Sequence, residues 1–323
     1  MEQFDVAPIG ASRWLAVMER EYLQSWIPAG GAAAKFVVAE PTTHDRLRDA
    51  LSDQAREAEM EAARVDASET ACHLPQEIFF AISRALPWPA LVQRHIERIF
   101  AAFEYPWPRP GQPMGLAELA QHFAIAPQLL DRHITEWLSW EIWKDAALAQ
   151  DFRAALSALC RDRLTTSMPG VGEVSQVQVW LTGGKAALGG LRAQGIGRRI
   201  DRSNARVMLI SLCHWLRKLG SGGLFLTLDL RPALRHRSEA VGSRRYSPLM
   251  IADLYEVLRE ILDDQERLPG LFLFVQADEA LLSDDPRRSL RAYTALEMRL
   301  WPDVHPEGRQ SPLAPLVKVG EAS

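Results

Sequence analysis

The chain has 323 residues, 47% of them hydrophobic, enough to bury a full core in one large or two smaller domains. A formal charge of −4 and a pI near 6.1 exclude a global electrostatic attraction to nucleic acid and leave only local basic patches to consider. The amino terminus has no basic segment followed by an apolar run, and no stretch of 18 uninterrupted apolar residues occurs, so a cytosolic location is expected. Three scattered cysteines, Cys72, Cys160 and Cys213, support neither a disulfide framework nor a paired CxxC zinc site and read as buried thiols.

In chain order, Trp14, Leu15, Met18, Tyr22, Leu23 and Trp26 recur at helical spacing, which predicts an amphipathic helix over residues 12–26. Lys35–Ala39 (KFVVA) is a short apolar run of the kind found in buried parallel strands. Residues 44–62 lack glycine and proline and are rich in helix formers, so a helix follows the strand. Ala63–Ala67 reads as a second strand, and residues 75–103 as two helices broken at Leu86-Pro87-Trp88-Pro89.

A proline-rich stretch, YPWPRPGQP at 105–113, leads into a helical middle over 115–164. Residues 203–219 predict a long amphipathic helix ending before Gly220. Leu224–Asp229 reads as a strand ending in a carboxylate, 249–263 as a helix, and Leu271–Val275 as a further strand. This alternation predicts an α/β fold: a P-loop NTPase-like parallel sheet flanked by helices, with a helical insertion. The expected division is 1–104 and 180–323 for the sheet domain and 105–179 for the insertion.

A P-loop requires a strand ending in a glycine-rich turn, a Lys-Ser/Thr pair opening a helix, and a later strand ending in a magnesium-binding Asp. The strand and helix positions are present, but the connection reads Glu40, Pro41, Thr42, Thr43, His44, Asp45, without glycine or lysine. Without glycine the backbone does not curl readily around phosphate, and without lysine the β/γ charge has no fixed cation. The later Gly183-Gly184-Lys185 lacks the leading glycine, which is Val179, and the Ser/Thr, which is Ala186. Asp229 keeps the strand-end acid, but Leu230 stands where a hydrolase carries a water-polarising Glu. No nucleotide cofactor and no metal are therefore expected.

Two other groups stand out. Residues 116–137 have helix-turn-helix spacing, with Leu119, Phe123, Ile125, Leu129, Leu130 and Ile134 as the apolar positions; Gln128, Arg132 and His133 are the base- or phosphate-reading candidates, against Asp131 and Glu136. A packed helical hairpin accounts for the same spacing. Arg231, Arg235, Arg237, Arg244 and Arg245 form a basic loop after the Asp229 strand, suited to phosphate or to plain solvation. Trp137, Trp140 and Trp143 follow one helix face and are candidate partner contacts if that face is open.

Residues 180–230 (WLTGGKAALGGLRAQGIGRRIDRSNARVMLISLCHWLRKLGSGGLFLTLDL) resemble the ATP-binding proteins of bacterial BREX-type phage-defence systems, as do 254–300 and the amino-terminal AGGAAAKFVVAEPTTHDRLRDAL. Such proteins are P-loop ATPases of the AAA+ and origin-recognition branch that act with helicases, methylases or other components on DNA. The resemblance implies defence-system subunits, an intact ATPase paralogue or helicase among them, as partners, and Arg288, Arg291 or Arg299 as nucleotide sensors in an intact member. The departures at Glu40–Asp45 and Leu230, and the lack of further carboxy-terminal helices after Ser323, imply a catalytically inactive scaffold or adaptor. The alternative is a DNA-binding accessory protein using the helix-turn-helix and the arginine loop.

Overall fold

The computed structural model describes residues 7–112, 114–165, 175–235, 244–301 and 310–321. Its strands are β1 (Ile9–Gly10), β2 (Ala33–Val38), β3 (Met60–Asp66), β4 (Gly223–Asp229), β5 (Leu271–Ala277) and β6 (Leu316–Gly320). The first helices are α1 (Ala11–Val17), which runs on as a π-helical segment to Trp26, α2 (Pro41–Glu57) and α3 (Pro75–Ala85). Then come α4 (Trp88–Ala102), α5 (Leu116–His122), α6 (Pro127–Leu138), α7 (Gln150–Thr165), α8 (Gln176–Leu181), α9 (Leu188–Ala193) and α10 (Ala205–Lys218). The last are α11 (Arg231–Leu234), α12 (Pro248–Asp263) and α13 (Thr294–Leu300).

The described residues form two compact units: those up to Ala85 together with those from Gly220 onward, and Leu86–Leu219. In the first, six strands make one sheet in the order β1-β6-β2-β5-β4-β3, every pair parallel. The three strands expected over 35–39, 224–229 and 271–275 are β2, β4 and β5, and they lie side by side. All of β2, β4 and β5 is buried, the burial expected of a parallel sheet covered on both faces. Leu47, Leu51 and Ala55 of α2 form an i, i+4 stripe that packs with Trp14 and Met18 over Val37, Phe225, Phe272 and Phe274. α3 packs on β3.

Two strands, β1 and β6, escape sequence reasoning because they are short and alternate only weakly. β6 buries Leu316, Val317 and Val319 and leaves Lys318 and Gly320 half-buried, and it lies between β2 and the edge strand β1. Strand β3 begins at Met60, three residues before the expected start, and ends at Asp66.

The second unit is helical and interrupts the first in sequence between α3 and β4. Its bounds, Leu86 and Leu219, are wider than the 105–179 read from the proline-rich stretch, because α4 and α10 join its core. Trp88 and Trp215 stack with centroids 5.4 Å apart, Phe152 meets Trp215 edge-on, and the Trp215 Nε1–H donates to His95 Nδ1 at 3.1 Å. That core burial pushes the His95 pKa down to about 3, so His95 stays neutral.

Candidate functional site at the carboxyl ends of the strands

In an open parallel α/β sheet, ligands bind beyond the carboxyl ends of the strands, where β2 meets α2 and where β3, β4 and β5 end in Asp66, Asp229 and the following Asp278. The helix after β2 starts earlier than the expected residue 44. Pro41 is its first residue and Glu40 its N-cap, so only Ala39 and Glu40 connect strand to helix. Proline has the helical φ already set and needs no N–H bond at N1, which accounts for the early start. The residues read as a loop, Thr42 to Asp45, are thus the first turn of α2.

In that turn Thr42 is exposed, Thr43 and His44 are buried, and Asp45 is exposed and paired with Arg48 at 2.7 Å. His44 Nε2–H donates to the Ala277 carbonyl at 2.7 Å, and the Gln276 amide donates to the His44 carbonyl at 3.3 Å. Burial lowers the His44 pKa, outweighing that carbonyl bond, and the Arg231 charge lowers it further. The helix start is therefore pinned to the end of β5 by a neutral side chain, in the region where a phosphate loop would stand.

Asp229 is enclosed, its side chain 4% exposed. It accepts the Arg231 backbone N–H at 3.1 Å, Arg231 Nε–H at 2.9 Å and Arg231 Nη2–H at 2.6 Å. Arg64 approaches within 3.9 Å and reaches Asp66, the register partner of Asp229 on β3, at 3.4 Å. Burial works against the Asp229 carboxylate, but the Arg231 hydrogen bonds and charge, with Arg64, hold its pKa below the ordinary range. Two carboxylates and two guanidiniums form a locally neutral cluster. Asp66 is further occupied by the Ser68 N–H and hydroxyl, and Asp278 accepts the Ala280 N–H. Among the described residues, no group of three His, Cys, Asp or Glu side chains is arranged to hold a metal ion.

The arginine loop divides. Arg231 is committed to Asp229, Arg235 is exposed near Asp278, Arg244 and Arg245 are exposed, and Arg237 lies outside the described residues. Arg288 is also committed: its guanidinium donates to the carbonyls of Ala233 and Tyr246 at 3.1 and 3.0 Å. Arg291 pairs with Asp284, and Arg299 with Asp263. The three cysteines are buried, with thiols pushed up to about 12 by burial.

In the helical unit, α5, a four-residue turn with Ala124 at φ 53°, and α6 form the helix-turn-helix spacing as a real hairpin. Arg132 and Gln128 are exposed on α6, while Arg161 of α7 donates to Thr135 and lies 3.8 Å from Asp131. Trp137 is buried, whereas Trp140 and Trp143 are 60% and 39% exposed. Sequence reasoning missed the Arg231 clamp and Arg64. The signal for the first was present in Asp229-Leu230-Arg231, where an arginine two residues past the strand-end acid can fold back onto it.

Sheet topology and site position together define an α/β protein with an all-parallel sheet of P-loop NTPase-like type. The profile of the family described as BREX system ATP-binding protein BrxC/D matches residues 130–321, more than half the chain, and the chain belongs to that family. The match takes in β4, β5 and β6 and lies wholly after the β2–α2 connection. Comparisons with curated proteins and with solved structures each give no match. Among the described residues, no helix is long and apolar enough to cross a membrane.

ATP, which the family description implies, and the magnesium that would accompany it are poorly suited by the residues present. The two-residue connection offers no glycine nest, His44 fills the helix start, and both Asp229 oxygens are already engaged by Arg231.

Proposed function

We propose that this chain is a non-hydrolysing member of its family, a scaffold or adaptor subunit of a bacterial anti-phage defence assembly that works through partner subunits. The observation that carries this reading is the Asp229–Arg231 clamp. A carboxylate that already accepts three hydrogen bonds from one arginine must lose them before it can help to hold magnesium. Family membership supports the defence role. The partners it fits are other subunits of the system, such as an intact ATPase paralogue or a helicase.

Calorimetry of Mg-ATP binding to the purified chain, with Asp229→Ala as control, tests the proposal. No heat of binding is expected from either protein. Micromolar binding that disappears in Asp229→Ala would overturn it and restore an active nucleotide site.

A second reading, contact with duplex DNA, is supported by the exposure of Arg132 on a formed α5–α6 hairpin and of Arg235, Arg244 and Arg245. It requires binding that weakens steeply with salt. An affinity unchanged by salt, or none at low salt, removes it.

A further inference from the structure

The helical unit carries a small aromatic pocket that the sheet chemistry does not use. It is lined by Phe103, Tyr105, His133, Glu136, Trp137 and Trp140 and has a volume of about 290 Å³. The lining is mostly aromatic and packed around one indole: Phe103 stacks on Trp137 at 5.0 Å, and Tyr105 lies 5.2 Å and His133 5.8 Å from the same ring. The chain is turned to build it. Glu104, at φ 66°, takes the left-handed conformation at the end of α4, and the Tyr105 N–H closes back on the Phe100 carbonyl at 2.9 Å. That turn brings the side chains on either side of Glu104 into one pocket.

The lining holds one charged group, the Glu136 carboxylate, and no Lys or Arg. Aromatic rings with a carboxylate suit a cation, whereas a nucleotide phosphate would meet the Glu136 carboxylate and be repelled by it. The protein already shows the chemistry at the rim, where Lys144 Nζ sits over the Trp140 ring, 2.9 Å from its centroid. At the pocket's edge, Trp140 and the neighbouring Trp143 leave aromatic surface open, more than a small free cation would cover.

We infer that this pocket receives an arginine side chain from a partner protein, its guanidinium stacked among the rings and paired with Glu136, while the partner's backbone covers Trp140 and Trp143. A planar guanidinium both stacks and forks onto a carboxylate, which an ammonium does not do. The inference deepens the adaptor reading by naming the partner's chemistry. It concerns a unit separate from the sheet, so its test and the ATP calorimetry fail independently.

The full chain would be titrated with Nα-acetyl-arginine amide, and in parallel with adenosine monophosphate, following the tryptophan indole N–H resonances by NMR. Arginine amide should shift the Trp137 and Trp140 signals saturably. Glu136→Gln and Trp140→Ala, both at exposed side chains, should each weaken it by about fivefold with an unchanged melting temperature. The inference is overturned if arginine amide shifts neither indole, if Glu136→Gln binds it as well as the parent chain, or if the nucleotide binds there more tightly.

Discussion

Lys35 is the least expected residue of the sheet. It points from the middle of β2, 3% exposed, with its ammonium donating to the carbonyls of Leu313 and Ala314 at 2.5 and 3.3 Å and lying 4.4 Å from the Tyr22 ring centroid. Burial lowers its pKa from 10.5 to about 7. Between those values the unfolded chain binds more protons than the folded one, so this residue's contribution to stability rises with pH across that window and is flat below it. Lys35→Met should therefore be more stable than the parent at pH 6, by up to a few kcal/mol at about 1.4 kcal/mol per pH unit. The advantage should shrink steadily toward pH 10. Urea unfolding of both proteins across that range measures it, and a constant difference would contradict the assignment.

Arg231 makes the complementary case. Its removal strands a buried carboxylate with only the half-exposed Arg64 nearby, so Arg231→Ala should lose roughly 3 kcal/mol at pH 7. The loss should diminish as acid protonates Asp229, because the charge being stranded disappears. Thermal melts at pH 7 and pH 4 would show it.

Among the elements, β4 depends on how closely its first residues approach their neighbours. Gly222 donates to the Glu59 carbonyl at 3.0 Å, and a Cβ there would lie 1.9 Å from the Ala58 carbonyl oxygen. At Gly223, φ is 134° and a Cβ would lie 2.0 Å from the Gly270 carbonyl oxygen. Neither contact can be relieved by a side-chain rotation, since the clashing atoms are backbone. Gly223→Ala should therefore destabilise by at least about 2 kcal/mol, combining strain with a shift of the β4–β5 ladder. Gly189→Ala, in α9 with open space around it, should have little effect or stabilise slightly. Chemical denaturation of the pair distinguishes backbone approach from a general intolerance of glycine replacement. At the β2–α2 connection the helix starts at Pro41, three residues before the 44–62 expected from composition, and takes both threonines into its first turn. Pro41 at N1 and the buried stripe His44, Leu47, Leu51 explain where the helix begins.

At the scale of the molecule, residues 86–219 form a unit with its own core of Trp88, Phe100, Phe152 and Trp215. Expressed alone, this segment should show a helical circular dichroism spectrum and a cooperative thermal transition. A broad, non-cooperative melt would mean that its core needs the rest of the chain.

The apolar runs KFVVA, LFLTLD and LFLFV mark β2, β4 and β5 in the sequence itself, because strands buried on both faces of a parallel sheet must be largely apolar. The absence of glycine and lysine between β2 and α2 was equally legible, being a matter of residue type. Tertiary structure alone decided the rest. It added β1 and β6, whose pairing depends on neighbours distant in sequence, and it drew α4 and α10 into the helical unit through the Trp88–Trp215 stack. It also turned Arg231 back onto Asp229 and divided the three tryptophans into one buried and two exposed, since burial and charge pairing are set by what surrounds a side chain in space.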